Sequence, residues 1–506
     1  MSFMLKRILK HIYSILLWLG IGAYIVYFSY FTILRYRTLY SSYYDLGIMN
    51  QTVFNTYKAM VEKNPSKILE ETDPISGMQI KRMAIHNDLL LAVISPLYVI
   101  HAGPETLLIL QSVILGLGAL AMFKIVLHLL KNERYKDIVA LVFAYAYLLY
   151  APMERANIFD FHAVTLATTF LLWMVYLWLV KRYYWSIVFF LLSLLSKEQV
   201  GLTTLFFGGF VLWNHHFAKE EGKKEKIYGL MVVIVSFVWV ILSFLVIIPY
   251  FRGGDHFAVV RYGDFGDSPI RILIGIIKNP YSVQKYLFQI DTLRYFFFLL
   301  GPLAFLSLVS PLQLLIALPE FAINLLSNNG NMRNIIFHYT AVIQPFVFLS
   351  AAYGFRKALS SKRKILVFLL PVLVVCSFLF AYYKGPLPYA REQEIHPFKY
   401  PQHSSKEIEI WAKTLRDTSL KIAATGQVAP LFSSRRYLYL FPHGYKEADY
   451  VVITLNEIYN YPEKDINIPA LDQLKNDSTF ERIYQSKNVE VYKKIKEKNS
   501  VKTPTY

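Results

Sequence analysis

Cysteine is nearly absent: the 506 residues contain one, Cys376. No disulfide framework and no site of paired cysteines can be built from it. The short catalytic and nucleotide signatures are missing as well. There is no Walker A loop, no G-x-G-x-x-G turn, no H-E-x-x-H helix and no nucleophile elbow, so nothing supports binding of a soluble nucleoside triphosphate. No repeat of fixed period and no low-complexity tract is visible. The apolar segments do not alternate, which excludes a transmembrane β-barrel. Acidic residues are scarce, 35 against 53 Lys and Arg, for a net charge of +18. In a soluble chain that excess would point to nucleic acid; here the distribution of the basic clusters supplies another reason.

What the sequence has in quantity is apolar runs. Hydrophobic residues make up 55% and recur in long stretches, the pattern of a polytopic α-helical membrane protein. Spans are expected at 12–34, 104–130, 138–151, 163–180, 184–196, 199–213, 227–250, 292–309, 311–327, 338–355 and 365–383, about 11 transmembrane helices. The first run, Ile12 to Leu34, is too long for a signal-peptide core and is expected to remain. Segment 87–101 is also apolar. Taken as an outer interfacial segment, it leaves "LKRILK", "KNERYK", "KRYYW", "KEEGKKEK" and "RKALSSKRK" on the side of the N-terminus, as the positive-inside rule requires. Taken as a span, it sends every later cluster outward. The expectation is a multi-pass plasma-membrane protein with a cytoplasmic N-terminus. Residues 1–383 form the membrane domain, with outer interfacial helices at about 43–101, and 384–506 form a small extracytoplasmic α/β domain. In the latter, "KIAATG", "RRYLYLF" and "ADYVVITL" are expected as strands and "ERIYQSKNVEVYKK" as a hairpin, behind a helix with a Ser404–Glu407 capping box.

That topology gathers the chemically capable residues on one face. Asp45 follows the first span, at the start of a segment with the spacing of an amphipathic interfacial helix, where it would serve either as N-cap or as a carboxylate at the membrane boundary. His86 and Asp88 precede the interfacial segment. "ERANIFDFH" places Arg155, Asp160 and His162 between two spans; Phe159 and Phe161 are expected in the interface, with Asp160 and His162 facing a polar cavity. Lys197 and Glu198 sit between two apolar runs with almost no loop, either a pair snorkelling to the surface or lining for a cavity. Arg252, Asp255 and His256 follow span seven; Arg333 and His338 stand before another span. The acids leave room for a divalent cation, Mg or Mn, among Asp45, Asp88, Asp160 and a histidine, and no spacing demands one. "NQT" at Asn50 and "NDS" at Asn476 are glycosylation triplets on the expected outer face.

The ordered set "YYDLGIMNQTVFNT", His86 with "SPLY", "NIFDFH", "LLSKEQVGL", "HYTAVIQPF" and "SSRRYLYLFP…ADYVVI" resembles the DUF2079 family of predicted archaeal and bacterial membrane proteins over most of the chain. The chain departs from that pattern at Ala163 and Val164, where Pro and Glu are expected, and at Gln199, where an acid is expected. The family in turn resembles the GT-C membrane glycosyltransferases. That resemblance implies a GT-C-like fold, with an acidic residue in the first outer loop and a second acidic motif after the third span. It also implies sugar transfer from a polyprenyl-phosphate donor of dolichyl-phosphate type to a glycan, lipid or protein acceptor. Asp45 and Asp160 would be the catalytic acids; Lys197, Arg155 and His338 would hold the donor phosphate; His86, Asp88, His162 and Glu198 would line the cavity. No nucleic acid partner is implied. Two alternatives stay open from the residues alone: a transporter of lipid-linked or polar solutes, and a membrane scaffold without catalysis.

Overall fold

A computed structural model describes residues 3–217, 222–361, 363–392 and 403–495. Residues 218–221, which include the start of the "KEEGKKEK" segment, and most of the Pro-containing stretch before the C-terminal domain, 393–402, lie outside them. In lipid each backbone N–H must find its partner within its own segment, so the apolar runs become helices. They do so close to the expected places: Phe3–Arg37, Pro104–Leu129, Lys136–Leu148, Ala163–Leu179, Tyr183–Leu194, Val200–Phe217, Lys223–Leu242, Gln344–Ser361 and Leu366–Lys384. Among the described residues, four helical stretches are long and apolar enough to cross a bilayer alone: His11–Arg37, Pro104–Leu129, Lys223–Arg252 and Leu366–Lys384. The pair Lys136–Leu148 and Ala151–Ile158, bent by 41°, makes a fifth if it is counted as one span. The protein is a multi-pass membrane protein.

Two stretches differ from simple spans. The run expected at 292–309 is helical only over Ile290–Leu300, then passes through short 3-10 turns, with Ala304 and Phe305 at φ of 51° and 56°. Pro302 and Pro311 lack the amide hydrogens that a continuous helix would use there. Segment 87–101 forms only Leu90–Ile94 and Ser95–Val99. Ten helical residues reach roughly 15 Å, half of a hydrocarbon core of about 30 Å.

The chain divides into two compact units. The first comprises Met1–Thr32, Arg82–Val93 and Leu107–Phe398; the second comprises Ile33–Lys81, Ile94–Thr106 and Lys399–Tyr506. The first unit holds most of the membrane helices around a large apolar core that includes Phe143, Tyr147, Leu171, Phe207 and Phe346. The second is not the C-terminal segment alone, as the sequence suggests, but that segment folded together with residues 33–81 and 94–106.

The second unit has strands β1 (Glu70–Thr72), β2 (Gln79–Lys81), β3 (Ile422–Ala424), β4 (Leu438–Leu440), β5 (Tyr450–Thr454), β6 (Phe480–Gln485) and β7 (Val489–Lys494). β1 and β2 form an antiparallel pair, and the others form one sheet in the order β4-β3-β5-β7-β6. β3 runs parallel to β4 and β5, and β7 is antiparallel to β5 and β6. Successive side chains alternate between two cores: Ile422, Ala424, Leu438 and Val452 on one face, Ala423, Tyr439, Val451 and Ile453 on the other. A sheet covered on both faces explains why these strands read as apolar runs.

The helix after Asp45 does not expose a polar face along its first half. Within Ile48–Val61, every residue from Ile48 to Thr56 is buried, polar ones included. Gln51 exchanges hydrogen bonds with Thr72, and Asn55 donates to the Glu70 carbonyl. The Tyr98 hydroxyl donates to Asn50 Oδ1 (2.5 Å), and Asn50 Nδ2 donates to Ser433 Oγ (2.8 Å). Asn50 is fully buried, which removes it as a glycan acceptor. Nor is Asp45 an N-cap: the Ser42 hydroxyl accepts the Tyr44 N–H at the start of the π turn Tyr43–Gly47, and Asp45 sits within that turn. Ser404 likewise lies inside helix His403–Thr414 and accepts from Asn488 Nδ2, so the expected capping box does not form. The Tyr43 hydroxyl lies 2.9 Å from the Thr72 carbonyl and 3.0 Å from the Leu438 carbonyl, tying the outer loop to β1 and β4.

Tyr43→Phe should leave both buried carbonyls without that donor, at a cost of about 1–3 kcal/mol. Hydrogen exchange at β1 and β4 should quicken together; unchanged protection would show that the hydroxyl is not what joins them.

Candidate functional site

The candidate site is built from the first unit, around Lys197 and Glu198 in the five-residue link between helices Tyr183–Leu194 and Val200–Phe217. So short a link between apolar helices keeps both close to the helix bundle, where a charge must find partners. They do not pair with each other. Glu198 is buried, and its Oε1 accepts from His86 Nδ1 (2.8 Å) and His256 Nε2 (3.1 Å), while Oε2 accepts the Asn87 N–H (3.0 Å). Ala258 N–H donates to His256 Nδ1 at 3.0 Å, which places the ring proton of His256 on Nε2, facing Glu198. Burial works to raise the Glu198 carboxyl, but His86 and His256 hold it well below the usual carboxylate range. Burial, reinforced by the Lys197 charge, pushes the His86 imidazole well below the usual histidine range.

Lys197 is half-buried, and its ammonium makes no hydrogen bond or ion pair among the described residues. Burial pushes it down from the usual lysine range against the pull of Glu198, Asp88 and Glu320. Glu320 is fully buried; its Oε2 accepts from Gln199 Nε2 (2.8 Å) and its Oε1 has no partner. Gln199, where the family pattern calls for an acid, therefore holds an acid contributed by another segment.

The "NIFDFH" loop is buried except at Phe159, which is half-buried, rather than divided between interface aromatics and cavity polar groups. Phe161 is fully enclosed, Asp160 and His162 are buried, and Phe159 stacks on His162 with ring centroids 5.7 Å apart. His162 stacks in turn on His338 at 3.8 Å. His338 Nδ1 is buried without a partner and lies within electrostatic reach of Lys197, His86 and Arg261. Asp160 adopts φ of 111°, a backbone conformation that side chains rarely take and that costs roughly 1–3 kcal/mol. Gln111 holds it there. Its Nε2 donates to the Asn157 and Asp160 carbonyls (3.0 and 3.1 Å), and its Oε1 accepts the His162 N–H (3.0 Å).

Two expected ligands have other work. Arg155 donates to the Lys384 carbonyl (2.6 Å) and the Glu392 carbonyl (2.8 Å), a structural brace rather than an open phosphate ligand. Asp88 forms a buried two-pronged ion pair with Arg82 at 3.0 Å, which sets it apart from a shared cation site with Asp160. Asp45 belongs to the second unit. Arg252 sits on helix Ile248–Arg252 and reaches the Ala84 carbonyl (3.5 Å), and Arg333 donates to the Leu325 and Ser327 carbonyls. Glu320, Gln111 and Arg261 were not singled out from the sequence. For Glu320 the signal was present, a lone acid within the apolar run 311–327.

A family profile described as "Predicted membrane protein (DUF2079)" matches residues 35–491. The chain belongs to the DUF2079 family. Among solved structures, this DUF2079 chain is similar to ArnT from Cupriavidus metallidurans bound to undecaprenyl phosphate. The TM-score is 0.49 at 10% identity, over 96% of this chain and 99% of that one. It is also similar to the Archaeoglobus fulgidus oligosaccharyltransferase tethered with an acceptor peptide, with a TM-score of 0.37 at 11% identity, over 94% of this chain and 74% of that one. No curated protein matches it.

In this DUF2079 chain, Gln111→Leu should strip three hydrogen bonds from the strained loop and lower stability by about 2–4 kcal/mol. The thermal midpoint in detergent reads the loss; an unchanged midpoint would mean that Asp160 keeps its conformation unaided.

Proposed function

We propose that the protein is a membrane glycosyltransferase that moves a sugar from a polyprenyl-phosphate donor to an acceptor hydroxyl on a glycan, lipid or protein. The observation that carries this reading is a set of unspent polar groups in one electrostatic neighbourhood. Lys197 offers an ammonium without a partner, His338 a bare Nδ1 and Glu320 a bare carboxylate oxygen. Buried polar atoms are ordinarily satisfied, so a group of them left open suits a polar ligand. A lipid-borne donor explains why such a site sits among membrane helices.

As the glycosidic bond breaks, negative charge grows on the departing phosphate. A fixed ammonium in a water-poor setting stabilises it without reorganising at the moment of reaction. Lys197 takes that role, with His338 as a neighbouring hydrogen-bond group. Asp160, held in a strained conformation within the same unit, is the proposed acid that takes the acceptor proton. The sequence resemblance supports this assignment, and it supports an outer-face reaction in the plasma membrane. The His162–His338 stack and the brace from Arg155 hold the surrounding frame.

Lys197→Met should weaken binding of a polyprenyl phosphate by about 10- to 100-fold, the worth of a charged hydrogen bond. The thermal midpoint should hardly move, because the ammonium has no protein partner to lose. Unaltered affinity would remove Lys197 from the phosphate site. In proteoliposomes, Asp160→Asn should retain donor binding and lose glycan transfer; full turnover would end its role as base. Solute counterflow without any glycan gain would favour a transporter instead.

A further inference from the structure

The cluster of His86, Glu198 and His256 has chemistry that the phosphate site does not use. Two imidazoles and a carboxylate come from segments far apart in sequence, and one ligand atom from each lies within 4.8 Å of the others. Two histidines with one carboxylate is a set that zinc and neighbouring transition metals favour. The carboxylate is already aimed: the Asn87 N–H fixes Oε2, and the Asn87 side chain donates to Ser243 Oγ at 2.8 Å, leaving Oε1 toward both rings. We propose that His86, Glu198 and His256 bind a divalent transition metal ion of the zinc type.

The spacing is within reach. Zinc bonds of about 2.0–2.2 Å in a tetrahedron separate neighbouring ligand atoms by about 3.3 Å. The ring nitrogens stand 2.8 and 3.1 Å from Oε1 and within 4.8 Å of each other, so loading moves each away from Oε1 by roughly half an ångström or less and draws the two rings together by up to about 1.5 Å. The His86 side chain is 16% exposed, against 2% for Glu198 and 5% for His256. Entry and the fourth ligand position therefore lie on the His86 side. Lys197 is within electrostatic reach of His86. That charge disfavours a cation held mainly by Coulomb attraction, such as magnesium, and favours one that bonds strongly to imidazole nitrogen.

Loading must also move protons. In the structure the cluster is held by ring hydrogens directed at Oε1. On binding, the His86 proton transfers from Nδ1 to Nε2. The His256 proton leaves Nε2 for Nδ1, the atom that accepts the Ala258 amide hydrogen. Metal binding therefore breaks that cap at the start of the turn Phe257–Tyr262, which carries Arg261. A metal-bound histidine ordinarily donates through its far nitrogen, and loss of such support costs about 10- to 100-fold in affinity. The ion should accordingly be exchangeable.

The test uses the full chain in detergent, purified on a tag without histidine, equilibrated with zinc or magnesium and then dialysed. Metal analysis should find one zinc per chain and no magnesium. His86→Ala, His256→Ala and Glu198→Gln should each bind zinc about tenfold more weakly or worse. His101→Ala, at an exposed site elsewhere, should retain it. Should those variants misfold, hydrogen exchange of the wild-type chain serves: zinc should speed exchange at Ala258 while slowing it around Asn87. No stoichiometric zinc, zinc retained without His86 and His256, or zinc bound with the Ala258 amide unchanged would each overturn the proposal.

Discussion

Everything at the candidate site follows from one constraint: a carboxylate at membrane depth has to be satisfied by protein. Removing an ion from water costs several kcal/mol even after relaxation. Glu198 meets that cost with three donors, two imidazoles and one backbone amide. To bring them, the chain must place 86–87, 198 and 256 side by side. That requirement sets how helix Val200–Phe217 begins and how the chain returns after Lys223–Arg252. It also separates the neighbours. With Glu198 claimed by histidines, Lys197 is left without its obvious partner, and a sequence pair that reads as a local ion pair becomes two groups with different tasks.

The same rule makes some of the site readable in sequence and hides the rest. Charges in apolar surroundings stand out, so Lys197, Glu198, Asp160 and His162 could be named before any coordinates. Which group satisfies which could not. Arg155 and Asp88 have the residue types of a phosphate and a cation site, yet Arg155 is spent on carbonyls and Asp88 on Arg82. Partner choice is a long-range property, and spacing along the chain carries no trace of it. Gln111 shows the opposite blindness. A lone glutamine in a spanning helix gives no signal of its three bonds to the Asp160 loop, because the carbonyls it serves belong to backbone of any sequence.

Fold-level features divide in a similar way. The strands of the C-terminal region were legible because a sheet buried on both faces yields unbroken apolar runs. The helix Ile48–Val61 was misread because its apolar spacing is that of a surface helix, whereas its polar residues are also buried. Asn50, Gln51, Thr52 and Asn55 are consumed by β1 and by the backbone and hydroxyls of 433–436. A polar residue that faces water and one that faces a buried partner look alike in sequence. The segment after the first helix thus supplies core to the second unit, and its polarity is structural before it is anything else.

That distinction bears on where chemistry can reside. Residues whose hydrogen bonds are complete can move or exchange a ligand only by breaking something, as the Ala258 cap on His256 illustrates. Groups with bonds left over, Lys197, His338 Nδ1 and Glu320 Oε1, can accept a ligand at no such cost. Buried atoms without a partner occur elsewhere too, both Glu154 oxygens among them; what marks His338 and Glu320 is that they lie within electrostatic reach of the Lys197 ammonium. The strain held at Asp160 belongs with the second set, because a frame residue would gain nothing from an unfavourable φ. An acid near reacting groups gains a fixed direction from it.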